Sequence, residues 1–137
     1  MKKKIELSIK EFTAEYARKE KVVSEWKEPL TAYADAADPL FKKLKEVISS
    51  THQLPTELLD DAETVITFFL PFVEEINKSN IEDRLSSRKW AKAYLETNQL
   101  IMEINKHIKK LLNDKGYNST VIAATHNFRE DELISDW

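Results

Sequence analysis

Seven consecutive residues, Thr64-Val65-Ile66-Thr67-Phe68-Phe69-Leu70, are β-branched, aromatic or aliphatic, and Pro71 follows them. A run of this length and chemistry suits a strand covered on both faces rather than one with a wet side. Proline ends it, because a ring without an N–H cannot continue a central ladder. The chain therefore contains a sheet, and its other segments can be read around that strand.

Ser8 followed by Glu11 has the spacing of a capping box, and Ile9, Phe12 and Tyr16 then recur on one face, which predicts a first helix to about Lys21. Trp26, Pro29 and the alternating stretch Leu30 to Ala34 read as a connector into a short strand, with Pro29 confined to its start or to an edge. Asp38 and Pro39 predict the start of a second helix. A carboxylate there accepts orphan N–H groups, and a fixed φ suits the first helical position. Leu40, Phe41, Leu44, Val47 and Ile48 continue it to near Ser49. Thr51 to Asp61 is turn-rich, with a single helical turn expected after Pro55.

Trp90, Tyr94, Ile101, Ile104, Ile108, Leu111 and Leu112 mark one stripe of a long helix from about Ser87 to Lys115. It stops at Gly116, the one glycine of the chain, which fits a left-handed cap. Lys106, Lys109, Lys110 and Lys115 lie toward the end where the helix dipole favours cations. Thr120 to Ala124 predicts a third strand. Asn127 with Glu130 resembles another helix start, and the stripe Leu133, Ile134 and Trp137 predicts a final helix, truncated near residues 129–137. The expected fold is α/β, of the α+β kind: a small sheet of about three strands packed against a long helix and two to three shorter helices.

At 137 residues the chain fits a single domain with a real core. Charged residues make up 33% and apolar ones 42%, far from the composition of disorder. Twenty-one Lys plus Arg against 24 Asp plus Glu leave a net charge of -3, which offers no global attraction to a polyanion. The start MKKKIELSIK lacks the apolar stretch of a secretory signal, and no segment has the roughly 20 apolar residues of a membrane span. A cytoplasmic location follows as the expectation, and the sequons at Asn77 and Asn118 are then chance matches.

With no cysteine, disulfides, thiolate zinc sites and cysteine-bound iron–sulfur clusters are all excluded. One glycine rules out the dinucleotide fingerprint, the P-loop, the GxSxG elbow and the EF-hand loop. His52, His107 and His126 have no metal-ligand spacing, so His52 and His107 read as solvated or hydrogen-bonded histidines. His126 ends the predicted third strand in Thr125-His126-Asn127, where polar side chains of open α/β sheets often face a ligand crevice. Asn98, beside Thr97 in the apolar stripe, reads either as a helix-to-strand hydrogen bond or as a ligand contact.

Particular residues add a resemblance. The run Ala32 to Phe41, then His52-Gln53-Leu54-Pro55, then Val65 to Phe72, then Trp90 to Tyr94 with Thr97-Asn98, then Ala124 to Phe128 and Leu133 to Trp137 resembles, in order, the opening of the iron–sulfur proteins similar to epoxyqueuosine reductase. The resemblance implies the front segment of a reductase that uses cobalamin and two 4Fe-4S clusters, with epoxyqueuosine in tRNA as the substrate of authenticated members. Cobalamin would lie between this segment and a missing C-terminal iron–sulfur part, so the chain would be inactive alone, as a shortened chain or the product of a split gene. Tyr94, Thr97, Asn98, Thr125, His126 and Asn127 are the implied cofactor-facing positions, and Asp136 lies nearest the family's catalytic aspartate. tRNA would be a partner only of the full protein. The other reading is a stand-alone interaction or scaffold domain, with Leu133, Ile134 and Trp137 recruiting a partner or forming a homodimer.

Overall fold

The computed structural model describes residues 1–20, 22–81, 84–122, 128–129 and 134–135. Its elements run α1 (Lys2–Lys19), β1 (Leu30–Asp35), α2 (Leu40–Val47), α3 (Pro55–Leu58), β2 (Thr64–Phe69), α4 (Glu74–Lys78), α5 (Arg88–Asn113), β3 (Phe128–Arg129) and β4 (Ile134–Ser135). The fold is α+β, with β1 and β2 forming a two-stranded antiparallel sheet and α5 packed with α1. The chain divides into two compact units, one of residues 1–32 and 68–111, the other of residues 33–67 and 112–137.

In the first unit, α1 buries Ile5, Ile9 and Thr13, which are spaced by four and so share one face. The matching face of α5 is Ala93, Thr97, Leu100, Ile104 and Ile108. Ile9, Leu100 and Ile104 are fully enclosed. Leu70 and Ile76 complete this core.

Helix α1 starts at Lys2, six residues before the predicted capping box. Nothing in Lys2 to Leu7 breaks a helix, and carrying the helix back places Ile5, 3% exposed, one turn before Ile9 on the buried face. Ser8 therefore lies in the helix interior, and its hydroxyl meets His107 Nε2 at 2.8 Å instead of capping a terminus.

Pro29 immediately precedes β1, as its missing N–H requires. β2 ends at Phe69, and Pro71 contributes only its carbonyl, which accepts the Lys27 amide at 2.8 Å. Pairing resumes one residue later in an antiparallel Trp26–Phe72 bridge. Helix α5 begins where the Ser87 hydroxyl accepts the Trp90 amide at 3.0 Å, satisfying an orphan donor of the first turn.

The second unit opens with a tight turn in which Asp35 Oδ1 accepts the Ala37 amide and Asp38 Oδ1 accepts the Leu40 amide, at 2.8 and 2.9 Å. Asp38 thus supports the start of α2 as its side-chain chemistry predicts. The single turn after Pro55 is α3, fixed by Glu57, which accepts the Leu54 amide and pairs with Lys45, both at 2.7 Å. Gly116 has φ +81, and the Tyr117 amide reaches back to the Leu112 carbonyl at 3.1 Å, so the left-handed cap forms at the end of α5.

Two expectations change. Thr120, Val121 and Ile122 are irregular in backbone, with Val121 and Ile122 exposed, so the described part of the predicted third strand is not a strand. Local β preference needs a partner edge, and here the Asn118 side chain ties this segment to Asp61 by a side-chain bond of 2.8 Å rather than a backbone ladder. Where a final helix was expected, Phe128 pairs antiparallel with Ser135 and Arg129 with Ile134. Three apolar positions span only one helical turn, too short a pattern to set a period against a paired hairpin.

Candidate functional site

Tyr94, Thr97 and Asn98 lie three and four residues apart on α5 and so share one side of it. Their environments differ. Thr97 is buried; its hydroxyl donates to the Ala93 carbonyl at 2.6 Å and accepts the Trp26 indole N–H at 2.8 Å. Both hydrogen-bonding directions of that hydroxyl are used within the chain. Tyr94 is half exposed and stacks on Trp90 with centroids 5.6 Å apart, and Asn98 is half-buried. Thr125, His126, Asn127 and Asp136 lie outside the described residues.

Glu96, which the sequence pattern does not single out, works beside Thr97. Its carboxylate accepts the Ser24 amide at 2.8 Å and the Val23 amide at 3.3 Å. Residues 23–26 are thereby fastened to α5 by two adjacent side chains, about 70 residues away in the chain. Burial pushes the Glu96 carboxyl upward, but the Ser24 hydroxyl, the Ser24 and Val23 amides and the Lys92 charge outweigh it, leaving the pKa below the ordinary carboxylate value.

A carboxylate with a depressed folded pKa stabilises the fold above the unfolded carboxylate range and loses that contribution as pH falls through its folded value. Glu96→Gln is therefore expected to reduce stability at neutral pH and to flatten the acid side of the stability–pH curve below about pH 4.5. Urea midpoints measured across that range check it; parallel curves for the two proteins would remove the assigned role.

The Ser8–His107 contact has the look of a nucleophile and base, and the Phe12 ring stacks on the same imidazole at 4.6 Å. The backbone around Ser8 argues against catalysis. Helical N–H groups in the middle of α1 are spent on carbonyls four residues back, so none is free to stabilise an oxyanion. The pair is a cross-helix clasp, and His107 is the hydrogen-bonded histidine its spacing predicts. His52 differs from that expectation. It is 5% exposed, and its Nδ1 has no hydrogen-bond partner among the described residues.

No group of three or more His, Asp or Glu side chains that could hold a metal ion occurs among the described residues. Nor is any described helix long and apolar enough to cross a membrane. No family model matches the chain, and neither a curated protein nor a solved structure does.

Proposed function

We propose that this chain is the front segment of a cobalamin- and iron–sulfur-dependent reductase resembling epoxyqueuosine reductase, acting in tRNA queuosine modification. The observation that carries this reading is the ordered series of motifs from Ala32 to Trp137. Its described members lie on β1 and the Asp35–Asp38 turn, the His52–Pro55 approach to α3, β2 with Pro71, and the first turns of α5.

The chain has no thiolate, so it holds neither 4Fe-4S cluster, and a separate polypeptide region must supply them. Cobalamin makes a different demand, for a polar and aromatic wall. Tyr94 and Asn98 retain polar atoms for that role, whereas the Thr97 hydroxyl is committed to Trp26 and Ala93. In this reading the chain binds and orients the corrin without conducting electrons.

Hydroxocobalamin titrated into the chain is expected to be retained through gel filtration, with Tyr94→Ala and Asn98→Ala each weakening retention about tenfold. Failure to retain the corrin, or retention that neither substitution alters, would remove this assignment.

A further inference from the structure

Between α1 and α5, within the first unit, lies a half-open cleft of about 520 Å³ lined by Phe12, Tyr16, Gln99, Glu15, Glu20, Glu103 and Lys19. Its apolar wall is formed by the rings of Phe12 and Tyr16, whose centroids are 6.4 Å apart, with the His107 ring 4.6 Å from Phe12 behind the lining. The volume falls in the range that takes a small organic ligand rather than a bare ion.

The charges around that wall are unbalanced. Three carboxylates line the cleft, and Glu15 is already paired with Lys19. Glu103 pairs with Lys106 at the rim, 2.8 Å away. Glu20 has no ion pair among the described residues. Tyr16 lies within the resulting field. Burial raises the pKa of its phenol, and the Glu20, Glu103 and Glu96 carboxylates raise it further, so the hydroxyl stays neutral beside the ring row.

We propose that the α1–α5 cleft binds an organic cation, an ammonium carried on an apolar or aromatic body. The body lies along Phe12 and Tyr16, whose ring faces attract a cation as well as apolar surface. The ammonium sits between Glu20 and Glu103. A divalent metal is a poor alternative occupant, because a bare ion leaves the ring wall unused and needs oxygen ligands on several sides. This site is separate from the reading proposed above and uses none of its residues.

Phenethylammonium, with its neutral analogue 2-phenylethanol, tests the proposal on the full chain by amide chemical-shift titration in low-salt buffer. Shifts are expected at Phe12, Tyr16, Gln99 and Glu103 with the cation and not with the alcohol. Glu20→Gln, at an exposed position that leaves the fold intact, should weaken binding about fivefold, as should Glu103→Gln. The control Glu46→Gln, at an exposed carboxylate of α2, should change nothing. Equal shifts with potassium chloride, unaltered binding in Glu20→Gln, or shifts spread over all the acidic surface would each overturn it.

Discussion

Leu100→Ala is expected to lower the stability of the chain by about 3 kcal/mol, while Leu95→Ala on the same helix changes it by less than about 0.5 kcal/mol. Both replace leucine by alanine in α5, so side-chain chemistry and helix preference are matched, and alanine is if anything the better helix former. Only burial differs. Leu100 is fully enclosed with Ile9 and Ile104 in the same unit, whereas Leu95 is 68% exposed. Removing Leu100 leaves a cavity that the helical neighbours cannot fully close, and the lost contacts add to the lost transfer free energy. Urea denaturation followed by far-UV ellipticity provides the measurement. Comparable small losses for both variants would show that Ala93, Thr97, Leu100, Ile104 and Ile108 are not the face of α5 that matters.

Much of this fold is legible in the chain because its strongest signals are local. The β-branched run at 64–70 marks β2, although in a two-stranded sheet that strand is not covered on both faces as its composition predicts, with Phe69 63% exposed. The prolines at 29, 55 and 71 and the glycine at 116 restrict backbone geometry within a few residues and fall at or near element boundaries. The period of α5 is legible for a related reason, since a pattern repeated over several turns leaves little choice. Its buried face is less so: the predicted stripe shares Ile104 and Ile108 with it, whereas Tyr94 is 50% exposed and the enclosed Ala93 and Leu100 are not in the stripe. Misreadings arise where a short signal met a competing force. Ser8 with Glu11 matches a capping box, but burying Ile5 extended α1 past it.

The candidate site was less legible, for a reason that applies to polar side chains in general. A threonine within an apolar stripe states a need for partners without naming them. Thr97 finds its partner in Trp26, 71 residues earlier, and Glu96 finds its partners in backbone amides, which carry no sequence signature at all. A rule that could have located the first pair is that a half-buried indole seeks an acceptor and a buried hydroxyl offers one.

That pair gives the second large effect. Thr97→Val keeps shape and volume but removes the oxygen that accepts the Trp26 N–H, and it is expected to cost about 2 kcal/mol. The cost comes mainly from the indole, not from the threonine. The freed Ala93 carbonyl still holds its helical bond, whereas the part-buried indole N–H loses the acceptor it has at 2.8 Å. Thr97→Ser restores an oxygen at the same place and should recover most of the loss, which a purely steric role for the methyl group would not produce. The same two variants separate stability from ligand binding. Because the hydroxyl is satisfied within the chain, Thr97→Val should shift the urea midpoint, and Thr97→Ser should return it. A threonine that faced corrin would give the opposite result, an unchanged midpoint with weakened hydroxocobalamin retention, and the assignment of Thr97 as a clasp for residues 23–26 would then fail.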